Sequence, residues 1–298
     1  MNDSRRRVPR TTGTDRLAFV VLAALAALAI RHHEPYLLGL VALLGFVLLT
    51  IARWAERSRT GALVHKLGSP YVAVAGTFEL LGPLLDRATT ARWDARLEAL
   101  DSRLFGGLVA AWQGALGRPA WLTDVMSVAY VSFYLLPMVV GVGIYLRSPR
   151  EFDRYALTTE AGFFVPYVGY FAFPATGPRE AFAEGAAIGG SDVGQAARAF
   201  VRAAELNVLD AFPSGHTSVV LVVLAFGWRL LPKWRLPLAT VVASIVFSTV
   251  YLSYHYVVDL IAGALVAAFV LLLAPLAHAL GVGARHRLQS PSIDIRSG

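Results

Sequence analysis

The chain has 298 residues, 56% of them in the hydrophobic set and only 16% charged. A soluble domain carries about a quarter charged residues, so the deficit makes lipid the solvent. A formal net charge of +7 would suit nucleic acid, but the arginines gather in short loops between apolar runs, as in a membrane protein oriented by its basic loops, and nucleic acid is excluded as a partner. The absence of cysteine excludes disulfides, thiolate nucleophiles and cysteine-ligated metals.

Residues 1–16 form a basic segment that leads into the first apolar run, as a signal peptide would. No small-residue cleavage site follows, which makes the run a retained helix. A spanning helix needs about 20 mostly apolar residues, and eight stretches come close: 17–31, 36–54, 67–85, 121–146, 157–175, 214–231, 236–254 and 257–280. The third is the weakest, since it holds Pro70, Glu79 and Pro83. The basic clusters test the count. Arg5, Arg6, Arg7, Arg10 and Arg16 precede the first span; Arg53, Arg57, Arg59 and Lys66 follow the second; Arg147, Arg150 and Arg154 follow the fourth; Lys233 and Arg235 follow the sixth; Arg285 and Arg287 follow the eighth. All fall on one side if the third stretch spans, which places both termini in the cytoplasm. The long loops 86–120 and 176–212 are then outside; such loops either serve a site or are mobile. The expected fold is an all-α polytopic bundle. Glu79, Glu160 and Asp124 sit in or near apolar spans, where ionisable groups are often functional but also snorkel or pair with a neighbouring helix; the sequence assigns them no role.

Two histidines stand out by position. His216 lies in Phe212-Pro213-Ser214-Gly215-His216-Thr217-Ser218, at the outer end of the sixth span, and His255 at the outer end of the seventh. Asp259 follows four residues later, and residues four apart on a helix share a face. The carboxylate can hold one ring nitrogen of His255 and leave the other free as nucleophile or base. At the sixth span, Pro213 suits a helix start and Ser214 an N-cap, and the free N–H groups and dipole there favour an anion within reach of His216. Plainer readings stand beside these: a structural His–Asp pair, and an ordinary helix start. A metal would need more ligands than Asp259 and Asp210 supply, so neither metal nor cofactor is expected.

Taken together, Pro213-Ser214-Gly215-His216 and His255-x-x-x-Asp259 resemble the second and third motifs of the type 2 phosphatidic acid phosphatase superfamily. Leu100-Asp101-Ser102-Arg103-Leu104-Phe105-Gly106, Pro174-Ala175-Thr176-Gly177-Pro178-Arg179 and the run from Thr249 to Asp259 resemble its inositol phosphorylceramide synthase branch. The resemblance implies a six-helix core plus an N-terminal hairpin. The divisions are a basic segment 1–16, a hairpin 17–66, a catalytic domain 67–280 and a cytoplasmic tail 281–298. It also implies that His255 attacks phosphorus to form a phosphohistidine, that Asp259 orients it, and that His216 moves the proton of the leaving and incoming groups. Ser214, the Gly215 N–H and Arg179 would hold the phosphate oxygens, without metal. The implied substrate is a lipid phosphate or lipid-linked phosphodiester in the bilayer, met near the extracytoplasmic face of the cell membrane.

Some positions depart from the superfamily. Its first motif opens with Lys and ends in Arg-Pro, whereas here Arg179 is followed by Glu180 and no Lys is near; Lys66 and Lys233 are predicted on the opposite face. Thr249 stands where the classical third motif carries Arg, a feature shared with the synthase branch. Arg103, Arg198 and Arg202 are candidate replacements or ordinary loop charges, and Tyr251 either lines the site or packs. Water attacking the phosphohistidine makes a phosphatase, and an alcohol such as inositol makes a phosphotransferase; hydrolysis is the leading reading because transfer needs a second site. The rival from another class, a transporter or non-catalytic scaffold, draws on the missing cations. It is opposed by the complete His216, His255 and Asp259 set at helix ends rather than at mid-membrane.

Overall fold

The computed structural model describes residues 12–106, 111, 114–117, 119–178, 190–204 and 207–287, with side chains through 274. In chain order its helices are α1 (Gly13–Arg31), α2 (Pro35–Ala55), α3 (Arg59–Ala88), α4 (Asp94–Phe105), α5 (Ala120–Ser132), α6 (Leu136–Arg147), α7 (Pro149–Ala172), α8 (Asp192–Ala204), α9 (Gly215–Leu230), α10 (Arg235–Tyr251) and α11 (Val257–Arg287), with a 3-10 turn at Pro232–Trp234. There is no strand among the described residues. The all-α expectation holds. Arg5, Arg6, Arg7 and Arg10 lie outside the described residues.

The starts follow local chemistry. Thr12 and Asp15 form a reciprocal capping box at α1, and Ser58 Oγ accepts from Gly61 N at 2.8 Å to cap α3, each satisfying N–H groups that a helix start leaves without partners. Asp15 does more than cap: its Oδ1 lies 2.9 Å from His65 Nε2, tying α1 to α3.

α9 is the centre of the bundle. Val219, Val220, Val222 and Val223 are all fully buried, so most of the helix surface packs against neighbours, and only a stripe through Leu221, Ala225 and Trp228 faces outward. α6, α7, α10 and α11 pack around it. Pro166 in α7 has no N–H to give the carbonyl of Gly162 one turn back; Ser218 Oγ of α9 donates to that carbonyl at 3.0 Å instead. α1, α2 and α3 pack on one another, and α1 and α3 also on α7. Of α1, only a stripe of Ala18, Leu22, Leu25 and Ala29 among its apolar residues is buried, while Val20, Ile30, Leu43 and Phe46 of α1 and α2 face outward. That outward apolar surface belongs to a helix pair in lipid.

Of the eight expected spans, α1, α2, Pro232–Tyr251 and Val257–Ala274 are long and apolar enough to cross a membrane. The run expected at 121–146 is instead two helices, α5 and α6, meeting at a 51° bend, and makes a fifth span if counted as one. α9 is apolar but only 16 residues long. α3 stays helical for 30 residues through Pro70 and Pro83, and α7 buries Thr158, Thr159 and Glu160 against its neighbours; polar residues are tolerated in these two helices where other helices cover them. The protein is a multi-pass membrane protein.

Glu160 is 2% exposed, and neither of its carboxylate oxygens has a hydrogen-bond partner among the described residues. A buried, unsatisfied carboxyl costs stability that an apolar side chain of similar volume does not. Glu160→Met should therefore raise the unfolding temperature in detergent, by about 1–3 kcal/mol of stability. A lower unfolding temperature would mean that the carboxyl binds something the helices do not supply.

Candidate active site

The candidate residues meet at one end of the bundle, where α9 and α11 begin and α10 ends. Ser214 is the N-cap of α9: its Oγ accepts from Thr217 N at 3.2 Å, as the sequence led us to expect. The hydroxyl proton remains available for a second contact. A helix start also leaves the N–H group of Gly215 without an intrahelical acceptor, so a main-chain donor and the positive end of the dipole meet there. His216 projects from this first turn between aromatic rings, its ring centroid 4.1 Å from Phe133 and 4.6 Å from Tyr130. Tyr130 is also 4.6 Å from Tyr254, beside His255.

His255 differs from the expectation. α10 ends at Tyr251 and α11 begins at Val257, so His255 lies in the turn between them, and the pair does not share one helix face. Tyr254 N and His255 N both donate to Thr249 O, at 2.8 and 3.2 Å, which closes the turn. Ser253 takes a left-handed conformation, φ 63°, a strained state for a side-chain-bearing residue. Asp259, in the first turn of α11, reaches back: its Oδ2 accepts from Tyr256 N at 2.8 Å and lies 3.3 Å from His255 Nδ1. Since a carboxylate only accepts, Nδ1 carries the proton and Nε2 is the free nitrogen. His255 is 4% exposed and Asp259 fully buried. The rings of His216 and His255 are 5.8 Å apart, edge to face.

Main-chain contacts lock the two motifs together. Ser214 N donates to Asp259 O at 3.0 Å. α11 crosses the start of α9 so closely that a Cβ on Gly263 would stand 2.4 Å from Ser214 O. A backbone oxygen cannot yield as a side chain can. Gly263→Ala should cost about 1–3 kcal/mol and cut turnover more than tenfold by parting the motifs; thermal unfolding and initial-rate measurements check both.

A buried loop, 174–178, closes a further side. Gly177 has φ 75°, and a Cβ there would lie 2.4 Å from Tyr254 O, so the loop runs against the residue preceding His255. Sequence reasoning missed what holds it. Asp94, at the start of α4, accepts through Oδ1 from Thr176 N, Thr176 Oγ1 and Gly177 N at 2.9, 3.0 and 2.9 Å. Trp93 N donates to Pro174 O at 2.9 Å. Asp101, to which the sequence assigned no role of its own, accepts from Val258 N at 2.9 Å through Oδ1 and so caps α11. Burial, with the Glu98 and Asp94 carboxylates beside it, raises the Tyr256 phenol above its ordinary range.

Arg179 lies outside the described residues, directly after Pro178. Arg103 and Arg202 are exposed on α4 and α8. Arg198 is buried and donates through a terminal guanidinium nitrogen to Ser127 Oγ at 3.1 Å, joining α8 to α5. Asp124 also serves that junction, its carboxylate accepting from Ser191 N and Gly194 N at 2.9 and 3.1 Å. Tyr251 packs in a buried cluster with its hydroxyl 3.1 Å from Thr123 Oγ1. Thr249, where a cation was absent from the motif, turns its hydroxyl back to Val246 O at 2.8 Å. Lys66 pairs with Asp153 at 3.0 Å, near the starts of α3 and α7 and away from the histidines. No group of three or more metal-binding side chains occurs among the described residues.

Compared with known proteins, the family model described as PAP2 superfamily matches residues 95–273, from the second residue of α4 into α11. No curated protein and no solved structure matches the chain at a significant level.

Proposed function

The chain belongs to the PAP2 superfamily, and from that premise we propose that it is a membrane lipid-phosphate phosphatase working through a phosphohistidine on His255. The observation that supports this most directly is the pair of rings 5.8 Å apart, one oriented through Nδ1 by Asp259 and the other on a helix start that presents an N–H donor. His255 Nε2 attacks phosphorus and the bond to the lipid oxygen breaks. His216 gives its proton to that oxygen. His216 then takes a proton from water, whose oxygen attacks phosphorus and displaces His255 as inorganic phosphate leaves. Covalent catalysis divides one displacement into two easier ones. The Gly215 N–H, the Ser214 hydroxyl and Arg179 stabilise charge on the phosphoryl oxygens.

The same reading assigns residues 17–66 to an accessory hairpin, 67–280 to the catalytic domain, and 1–16 and 281–298 to cytoplasmic ends. The basic loops then put the histidines near the extracytoplasmic face. Transfer to an alcohol, in the manner of inositol phosphorylceramide synthase, is favoured as a second reading by the segment around Asp101, which resembles that branch and abuts Val258.

The test is phosphate release from a panel of lipid phosphates by detergent-purified protein, with inositol in half the samples. Free phosphate supports hydrolysis. An inositol-linked lipid product without free phosphate replaces it with transfer. Folded protein that gives neither product from any donor overturns both.

A further inference from the structure

At the end of the bundle away from the histidines, α6 and α10 both pack on α9 but leave a wedge between them, a cavity of about 710 Å³. It lies about 24 Å from Ser214, the length of the 16 residues of α9 at 1.5 Å each. Val140 and Leu238, both buried, form its floor. Val139, Leu146 and Trp234 line its open side and are more than half exposed, so the groove faces the apolar part of the bilayer. Its volume falls among sites that hold small molecules, about 300–1,000 Å³.

The groove has a charged head. Arg147, at the end of α6, and Lys233, on the 3-10 turn, converge on its rim from different elements, and no Asp or Glu lines it. Both are exposed, and neither has an ion-pair partner among the described residues. Trp234 beside them is the residue type that settles at the headgroup level. A second copy of the chain would bring like charges together here. From this charge complementarity we infer that the groove binds one anionic phospholipid, its phosphate between Arg147 and Lys233 and an acyl chain along the cavity. The site is separate from the histidine centre and holds its lipid without turnover.

The full chain in neutral detergent is titrated with phosphatidylglycerol, phosphatidylcholine of the same chains, or inorganic phosphate, and thermal unfolding is followed. Phosphatidylglycerol alone should raise the unfolding temperature, by about 5 °C near saturation. Arg147→Gln with Lys233→Gln should weaken that response roughly 25-fold in lipid concentration, since each basic residue near an anionic headgroup contributes about fivefold. Rates on a short-chain soluble phosphate should not change. Val142→Trp, which fills the groove and keeps both cations, should abolish the response. An equal response to phosphatidylcholine or inorganic phosphate, or an undiminished one in either variant, overturns the site. So does a wild-type dimer that these variants dissolve.

Discussion

His255→Ala releases no phosphate from any lipid phosphate, a loss of about four orders of magnitude or more, while its unfolding temperature stays within a few degrees of wild type. The two halves of this expectation have separate causes. On the proposed mechanism chemistry stops because, among the described residues, Nε2 of His255 is the one nitrogen at the site that is both oriented by a carboxylate and set against a second histidine. The fold persists because Asp259 Oδ2 keeps its bond from Tyr256 N at 2.8 Å, so truncation leaves that oxygen partnered. His216→Ala separates the two steps. With an aryl phosphate, whose leaving group needs no proton, His255 is still phosphorylated, but water attack loses its base and turnover falls about 10²–10⁴-fold. Acid-labile, base-stable phosphate should accumulate on this variant and not on His216→Ala combined with His255→Ala. Full turnover by His255→Ala, or label that survives its removal, would sink the assignment.

The parts legible in the sequence were those written in local pattern. Apolar runs located α1, α2, α10 and α11, the helices long and apolar enough to cross a membrane, and Pro213-Ser214 announced the cap at α9. The spacing of His255 and Asp259 identified a real pair but gave the wrong backbone for it: the chain leaves α10 at Tyr251, and the carboxylate reaches back across a turn. The bend between α5 and α6 had a signal that the unbroken apolar run concealed. Pro137 has no N–H for the carbonyl of Phe133, and the chain turns there, with the Phe133 ring against His216. Asp94 left no trace of this kind. Its partners are 82 and 83 residues away, and nothing in an amphipathic loop helix distinguishes a carboxylate facing solvent from one facing a buried backbone.

Asp94 is for that reason the sharper test of whether loop 174–178 belongs to the site. One carboxylate oxygen receives three donors, two of them main-chain N–H groups of consecutive residues, which fixes the peptide plane between Thr176 and Gly177. Gly177 lies against the Tyr254 carbonyl, so a shift of the loop reaches the turn that carries His255. Asp94→Ala leaves three donors without an acceptor. Hydrogen bonds to a charged group are worth about 1.5–3 kcal/mol each, but water replaces part of that here because Asp94 is only partly buried. The expected net effect is a roughly 100-fold fall in kcat/KM, equivalent to about 3 kcal/mol. Asp94→Asn keeps a carbonyl oxygen that accepts the same donors and should recover most of the rate, to within about tenfold of wild type. A structural role far from the chemistry would lower the unfolding temperature and leave kcat/KM of the surviving folded protein unchanged. A loop that presents a phosphate-binding residue predicts instead that the loss falls on kcat/KM in folded protein, with the Asn variant between the two.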